Sequence, residues 1–151
     1  VLMEQGDLAP RATPGPTTVT GQGASNEAAL GLPPAPAVDA REVALGERLF
    51  FDRRLSLNGT LSCAMCHVPA QGYALNDLAT AVGIEGRTVK RNAPTLLNVG
   101  YLTTLFHDGR ERSLETQAWS PLLAGNEMAN PSIGHLLDKL ADLPGYTAEF
   151  R

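Results

Sequence analysis

The pattern of apolar and polar positions predicts a helix that begins directly after residue 38. Asp39 followed by Glu42 resembles a capping box at a helix N-terminus. Apolar residues then recur at helical spacing as far as Phe51, and Asp52 opens a polar loop. Four of these residues form the expected core face: Val43, Leu45, Leu49 and Phe50.

The stretch that follows is irregular until a second helix. Glycines divide residues 68–112 into short pieces without a convincing period. A long irregular stretch inside a compact domain is usually functional or packed around something. Ser113 is then a suitable N-cap for a helix over residues 114–123, which Pro121 should end or kink.

A last helix is predicted near the C-terminus. Asn130 and Pro131 stand in the favoured N-cap and N1 order, and Pro144 with Gly145 stops the helix. Since every predicted element is helical, the expected fold class is all-α with abundant loop. The apolar stripe of this helix consists of Ile133, Leu136, Leu137 and Leu140.

Residues 1–38 differ from the rest of the chain. Prolines alternate there with Ala, Gly and Thr, and no apolar periodicity is present. Such a stretch cannot offset its ordering entropy by burial, so we predict an extended linker. The folded domain is expected over residues 39–151.

The chemistry of the chain centres on Cys63-Ala64-Met65-Cys66-His67, which holds both of its cysteines. On a helix, positions three and four apart share a face, so the two thiols and the imidazole project together. The thiols can then form thioethers with the vinyl groups of one porphyrin while the imidazole reaches its iron. This spacing is typical of c-type haem attachment.

Other uses of the two cysteines fit less well. A zinc site needs further ligands, and only His107 and His135 remain as histidines. A redox dithiol fits poorly because no strand-helix-strand pattern surrounds the motif. A chance occurrence in a cytosolic protein is the remaining alternative. We therefore predict one covalent haem c, attached through Cys63 and Cys66, with His67 as an axial ligand of the iron.

Composition and charge limit the partners and the cellular location that can be expected for the protein. Aromatic residues make up 5% of the 151 residues, and a haem would supply the missing flat apolar surface. The net charge of −4 without a basic cluster argues against nucleic acid as a partner. No apolar run approaches the roughly 18 residues that span a bilayer, and no signal peptide is visible. Because haem c is attached outside the cytoplasm in bacteria, we expect a periplasmic protein that has lost its export signal.

Several further motifs follow one another in sequence order over about residues 40–151. They are Leu49-Phe50-Phe51-Asp52, Leu61-Ser62 with the Cys63–His67 motif, Arg91-Asn92-Ala93-Pro94-Thr95-Leu96-Leu97-Asn98, Asp108-Gly109-Arg110, and the single residues Gln117, Pro121, Glu127 and Met128. Together they resemble the N-terminal haem domain of bacterial di-haem cytochrome c peroxidases and of the related MauG enzymes, which mature methylamine dehydrogenase.

The resemblance implies a cytochrome c-like fold, a haem that meets hydrogen peroxide, and a second haem domain that handles the electrons. It assigns Glu127, Gln117 and Pro121 to the distal pocket. Glu127 is then the catalytic group that moves a proton between the peroxide oxygens, Gln117 its hydrogen-bonding neighbour, and Pro121 an apolar wall. It also makes Asn92 a ligand of a calcium ion between the domains and gives His107 the position of an electron relay.

Three departures from the family pattern are visible. A second C-x-x-C-H motif is absent before Arg151, so a fragment or an isolated domain is expected. Glu85 stands where classical peroxidases of the family carry a switchable histidine ligand. His107 stands where the family usually has a tryptophan, and bridging to a second haem or packing at the haem edge would both suit it.

Taken without the resemblance, several of these residues have plainer interpretations. Glu127 would be a surface residue, Asn92 part of a turn, and Met128 a core residue rather than an iron ligand. His135 would lie at the surface or the core edge. Trp119 would pack in the core, with an oxidisable relay as the alternative.

Two classes of function remain open. The first is a haem oxidoreductase that reduces hydrogen peroxide, or uses it to oxidise a protein partner, with a small donor protein such as a cytochrome c or a cupredoxin. The second is a mono-haem electron carrier whose sixth iron site is closed by Met or His. A piece that merely binds haem is a third. Glu127 and the lack of a convincing methionine ligand favour the first.

Overall fold

The computed structural model describes residue 31 and residues 38–150. The linker predicted over residues 1–38 therefore lies almost entirely outside the described residues. Within the described ranges there are three α-helices, which we call α1 (Ala40–Phe51), α2 (Leu114–Leu123) and α3 (Ile133–Asp142). These ranges contain no strand, only isolated bridges, so the expectation of an all-α fold is confirmed for them.

Helix α1 has the limits that the sequence predicts. Asp39 is extended (φ −74°, ψ 127°), and its carboxylate accepts a hydrogen bond from the backbone N–H of Arg41 at 2.8 Å. At the other end, the N–H of Asp52 donates to the carbonyl of Leu49 at 3.1 Å. The carboxylate of Asp52 then accepts from the N–H of Arg54 at 2.9 Å, which begins a short 3₁₀ turn. One aspartate therefore ends the helix and starts the next turn.

Helix α2 also follows the prediction, with Ser113 as its N-cap. The Ser113 hydroxyl accepts from the N–H of Thr116 at 3.2 Å. Pro121 lies inside the helix, which ends two residues later at Leu123. A proline lacks the N–H that would bond to the preceding turn, and here only the last residues of a short helix follow it.

The N-cap of α3 corrects the prediction. Ser132, rather than Asn130, accepts from the N–H of His135 at 3.1 Å. Asn130 is buried instead, and its amide Nδ2 donates to the carbonyls of Leu55 (2.8 Å) and Leu122 (2.9 Å). A buried carbonyl is costly to leave unpaired. The hydrogen bonds to these two carbonyls, rather than helix capping, therefore explain where the Asn130 side chain lies.

The hydrophobic core lies between the three helices and directly behind the cysteine motif. It contains Leu136 and Leu140 of α3, while Ile133 and Leu137 of the predicted stripe remain exposed. Helix α1 packs against the 3₁₀ turn Cys63–Met65. The buried core cluster is Leu55, Met128, Leu136, Leu140 and Tyr146, and Leu45, Leu49, Cys63, Trp119, Leu122 and Leu143 pack against it.

Tyr146 joins the C-terminal segment to the end of α1. Its side chain is fully buried, and its hydroxyl donates to the Asp52 carboxylate at 2.8 Å. The guanidinium of Arg48 lies 4.2 Å from the centre of its ring. Such cation–π contacts add to the apolar burial, so this residue closes the core on the side of α1.

Three tight loops occupy the stretch between α1 and α2. Each is closed by an isolated antiparallel bridge: Val68 with Ala74, Val82 with Thr88, and Leu105 with Glu111. Short 3₁₀ turns lie within or between them at Pro69–Gln71, Ile84–Gly86 and Val99–Tyr101.

Candidate haem site

The cysteine motif forms one helical turn. The N–H of Cys66 donates to the carbonyl of Cys63 at 3.1 Å, and the N–H of His67 donates to the same carbonyl at 2.9 Å. Bonds to positions three and four residues back are those of 3₁₀ and α geometry. The two cysteines and the histidine therefore belong to one continuous turn, as the sequence predicts.

Ser56 holds the chain that leads into this turn. It is fully buried, and its hydroxyl donates to the carbonyl of Arg53 at 2.9 Å while accepting from the N–H of Leu61 at 3.0 Å. Its own carbonyl accepts from the ammonium of Lys139 on α3 at 2.6 Å. The position of the cysteine turn is thereby tied to the helical core.

Both cysteines are free thiols in a partly buried setting. Burial raises the pKa of Cys63 and of Cys66. The nearby charge of Glu127 raises the pKa of the Cys66 thiol further. The cysteines are therefore not activated nucleophiles of the kind with a depressed pKa.

The imidazole of His67 is fixed through one of its two nitrogens. Nδ1 lies 3.0 Å from the carbonyl oxygen of Pro94 and 3.1 Å from that of Tyr73. Both partners are acceptors, so Nδ1 carries the proton and donates. Nε2 then keeps its lone pair, which is the form that binds a metal.

These residues fit a haem c. The turn offers two thiols three residues apart and an adjacent imidazole whose Nε2 is available. The carbonyls of Tyr73 and Pro94 supply the outer hydrogen bonds that orient a metal-bound histidine. In residues 38–150 no group of three or more His, Cys, Asp or Glu side chains is arranged to hold a bare metal ion.

The distal residues that the family resemblance implies lie on α2 and on the loop after it. Gln117 and Pro121 are four residues apart on α2 and therefore share a face. The carbonyl of Pro121 accepts from the N–H of Met128 at 3.1 Å, which brings the segment with Glu127 back against the end of the helix. All three predicted residues are half-buried.

Glu127 combines a carboxylate with an unfavourable environment for its charge. Burial raises the pKa of this carboxyl, and the charge of Arg110 opposes the rise without cancelling it. A carboxyl whose pKa is raised toward neutrality is better suited to both accept and return a proton. Together with the charge effect on Cys66, this makes Glu127 the acid/base candidate of the site.

Four further side chains bear on whether a protein group closes the sixth iron position. Met128 is buried in the core cluster, in agreement with its interpretation as a core residue. Glu85 is exposed and forms a salt bridge with Arg87 at 2.5 Å. His107 and His135 are both exposed.

Asn92 braces a neighbouring loop. Its Nδ2 donates to the carbonyls of Leu75 (2.6 Å) and Leu78 (3.2 Å), and its Oδ1 accepts from the N–H of Ala93 at 2.9 Å. These bonds hold the backbone that leads to Pro94, the partner of His67. Asn92 therefore joins the backbone at residues 75–78 to the segment that leads to Pro94.

His107 lies on the tight loop closed by Leu105 and Glu111. Its Nε2 is 3.3 Å from the backbone carbonyl of Asn92. The next residue, Asp108, pairs with Arg91 (2.7 Å) and Arg110 (2.8 Å), and these hydrogen bonds lower its pKa to about 2. The loop is thus anchored by a charged network one residue away from His107.

Some functional groups could not be found from residue types alone. The carbonyls that orient His67 are backbone atoms of Tyr73 and Pro94, and only Pro94 belongs to a motif singled out in the sequence. The backbone of Gly83 also lies close to that of Asn126, and the N–H of Ile84 donates to the carbonyl of Glu127 at 3.0 Å, contacts that residue types do not predict either. A glycine or an apolar residue carries no chemical signal of such a contact.

Comparison with known proteins identifies the family. The family model described as di-haem cytochrome c peroxidase matches residues 40–151, which include every residue of the candidate site. The chain belongs to this family, and haem c is the cofactor that its name and the cysteine turn both indicate.

Individual relatives agree. Over 119 residues the chain is 42% identical to the methylamine utilization protein MauG of Methylorubrum extorquens, covering 79% of this chain and 33% of that protein. It is 37% identical over 125 residues to the cytochrome c peroxidase Ccp of Escherichia coli, covering 83% of this chain and 27% of that protein. The chain therefore spans about a third of the length of such relatives.

Solved structures give the same result for the fold. The crystal structure of the diheme peroxidase BthA from Burkholderia thailandensis matches with a TM-score of 0.68 and 33% identity, covering 74% of this chain and 32% of that one. A MauG-like protein associated with microbial copper homeostasis matches with a TM-score of 0.69 and 29% identity, covering 79% of this chain and 37% of that one. In the described part of the chain, no helix is long and apolar enough to cross a bilayer.

Proposed function

We propose that this chain is the peroxide-reacting haem domain of a c-type haem oxidoreductase. It carries one covalent haem, and it reduces hydrogen peroxide or uses peroxide to oxidise a protein partner. The observation that supports this most directly is the arrangement around the cysteine turn. Nδ1 of His67 donates to two backbone carbonyls and leaves Nε2 available. Glu127 is a half-buried carboxyl, burial raises its pKa, and its charge raises the pKa of Cys66.

Haem, when bound, supplies an iron at which the O–O bond of peroxide is cleaved. The residues of the chain supply the proton movements. The Glu127 carboxylate takes a proton from one peroxide oxygen and returns it to the other, which leaves as water. Gln117 donates a hydrogen bond that orients the peroxide, and Pro121, four residues on, closes the pocket with an apolar wall.

The partners follow from this chemistry. Reducing one peroxide molecule requires two electrons, which we assign to a small donor protein such as a cytochrome c or a cupredoxin, or to the oxidised protein substrate. A second haem domain would pass them on, with His107 at the point of entry. Calcium would use the oxygen of Asn92 that now accepts from Ala93 together with oxygens from that domain. A periplasmic location agrees with the need to attach haem c outside the cytoplasm.

The alternative of a mono-haem electron carrier requires a closed sixth site. The burial of Met128 and the exposed position of Glu85 do not favour it. Names of the relatives, which are peroxidases or MauG proteins, do not favour it either.

Glu127→Gln tests the proposed function, because it keeps the size and hydrogen bonding of the side chain but removes the proton transfer. A positioned acid/base typically contributes about 10²- to 10⁴-fold. We expect the rate of reaction with hydrogen peroxide, followed by stopped-flow absorbance at equal haem concentration, to fall by at least about tenfold. Haem content should stay unchanged, and electron paramagnetic resonance should show largely high-spin ferric iron in both proteins.

Glu47→Gln is the matched control, since it makes the same change at an exposed carboxyl on α1. It should react with peroxide like the wild type. Equal rates for Glu127→Gln and the wild type would remove Glu127 from the mechanism. A low-spin wild type that does not react with peroxide would favour the electron carrier.

A further inference from the structure

We propose that Gly83 is a positioning residue. Because it has no side chain, the loop of residues 82–88 can contact the backbone of Glu127 closely, and this contact fixes the position of the Glu127 carboxylate. The proposal rests on the proposed role of Glu127 and extends it to a part of the chain that carries no chemical group. The loop belongs to the region in which classical peroxidases of the family carry a histidine ligand, and here it has Glu85 instead.

The first support is the close approach of two backbones. A Cβ atom added to Gly83 would lie 2.0 Å from the carbonyl oxygen of Asn126 and 2.9 Å from the Cα of Glu127. Distances below about 3 Å are far inside van der Waals contact, and both atoms belong to the main chain. Gly83 has φ −92°, which other residues adopt readily. The glycine is therefore required by space and not by its backbone conformation.

The second support is a hydrogen bond to the proposed acid/base residue itself. The N–H of Ile84 donates to the carbonyl of Glu127 at 3.0 Å. Ile84 is 2% exposed, so its side chain anchors this donor in the protein interior. The loop is closed on itself by a bond from the N–H of Gly83 to the carbonyl of Arg87 at 2.7 Å. A rigid loop thus presents a fixed donor to Glu127.

Two more bonds hold the residues just before Glu127. The guanidinium of Arg87 donates to the carbonyl of Gly125 at 2.7 Å. The side-chain amide of Asn126 donates to the carbonyl of Thr88 at 3.2 Å. Residues 125, 126 and 127 are therefore each bonded to the same loop, and only the close contact at Gly83 permits all three bonds.

The opposite side of Glu127 is fixed by the end of α2. Its N–H donates to the carbonyl of Ala124 at 2.9 Å, and the N–H of Met128 donates to that of Pro121 at 3.1 Å. Since Met128 is also buried in the core, the backbone of Glu127 is held on both sides. Preorganisation of this kind matters because a displacement of about 1 Å can cost a reaction about 10²-fold.

The test is a double-mutant cycle on the haem-loaded protein. Gly83→Ala should lower the rate of reaction with hydrogen peroxide by at least about tenfold. The double variant Gly83→Ala/Glu127→Gln should be no slower than Glu127→Gln alone, because a residue that acts through Glu127 has nothing further to lose. Gly46→Ala in α1 is the matched control, since its added Cβ meets no atom within 4 Å. It should leave the rate unchanged.

Amide hydrogen exchange supplies a readout that does not depend on activity. Gly83→Ala should speed exchange in peptides that cover residues 83–88 and 124–128 by at least about tenfold, because the bonds between them are local. Exchange in α3 and the ferric haem spectrum should not change, since the loop carries none of the haem-attaching residues.

If Gly83→Ala does not accumulate as folded protein, Arg87→Met replaces it, with the exposed Arg53→Met as control. Arg87→Met removes the bond to Gly125, and we expect a smaller loss of rate, again absent in the Glu127→Gln background. Wild-type rates for the loop variants, or losses that add to that of Glu127→Gln, would overturn the proposal. Full reactivity of Glu127→Gln alone would overturn the proposed function, and the exchange result would then describe a structural contact only.

Discussion

The two sides of the candidate haem site are built in different ways. On the side of His67, the thiols and the imidazole lie within one turn, and the partners of the imidazole are backbone carbonyls of Tyr73 and Pro94. On the side of Glu127, the position of one carboxylate depends on the end of α2 and on the loop of residues 82–88, which lies some forty residues earlier in the chain.

Because of this difference, we expect haem binding and the rate of the peroxide reaction to depend on different residues. Backbone carbonyls persist whatever side chains surround them, so the orientation of His67 tolerates most substitutions nearby. The Glu127 side consists of long-range contacts in which each partner can be lost separately. We therefore expect variants of the cysteine turn to decide whether haem is held, and variants of the distal segment to change how fast it reacts.

The largest effect is expected from the cysteine turn. In Cys63→Ala/Cys66→Ala both thioethers are impossible, so acid–acetone should extract essentially all haem from the variant and none from the wild type. Met65→Ala changes an exposed residue inside the same motif and should keep its haem. Free extraction of haem from the wild-type protein would contradict covalent attachment through this motif.

A smaller effect is expected where the distal segment joins the core. Asn130→Ala removes the side-chain donor to the buried carbonyl of Leu55, while the backbone N–H of residue 130 still donates to the carbonyl of Leu122 at 3.0 Å. Leaving one buried carbonyl unpaired costs about 1–3 kcal/mol. The free energy of unfolding, from denaturant titration, should fall by at least about 1 kcal/mol. The covalent haem should remain.

The control is Asn58→Ala, in which the lost bonds to Thr60 lie at the surface. Water replaces such bonds, so the change should stay within about 0.5 kcal/mol. If the free energy of unfolding fell equally in Asn130→Ala and Asn58→Ala, the cost could not be attributed to the burial of the groups that Asn130 pairs.

The sequence predicts those parts of this protein that depend on neighbouring residues. The limits of α1 and α2 follow from caps at Asp39 and Ser113. The helical turn that carries Cys63 and Cys66 follows from their spacing. In each case the residues that determine the element lie within or next to it. The element can therefore be predicted without knowledge of the tertiary structure.

Contacts between distant segments could not be predicted in this way. Asn130 was expected to cap α3 because its neighbour is Pro131, but two buried carbonyls from other segments take its amide. Gly83 was expected to interrupt the pattern and to flank the loop that carries Glu85, without any contact being predicted for it. Its requirement for space appears only when the backbone of Asn126 is placed against it.

The smallest expected effect concerns the charge near Glu127. The guanidinium of Arg110 lies 3.4 Å from the centre of the Phe106 ring and donates to Asp108 at 2.8 Å. Its positive charge lowers the pKa of Glu127, whereas burial raises it by more. Removing this charge should therefore raise the pKa of the carboxyl further. Arg91 still pairs with Asp108 at 2.7 Å and should keep the loop in place.

Arg110→Met tests this difference through the pH dependence of the peroxide reaction. The reaction needs the ionised carboxylate of Glu127 to accept a proton, so the rate should fall as the pH falls through the pKa of Glu127. Because burial raises that pKa, the midpoint should lie above the ordinary value of 4.5 in the wild type and higher still in Arg110→Met. The rate at high pH should be the same in both proteins, and Arg53→Met, an exposed arginine at the start of the 3₁₀ turn after α1, should leave the midpoint where it is. The measurement is the stopped-flow rate of the peroxide reaction as a function of pH, in the wild type and in Arg110→Met. A midpoint that does not move, or that moves to lower pH, would show that Arg110 does not act on the charge of Glu127.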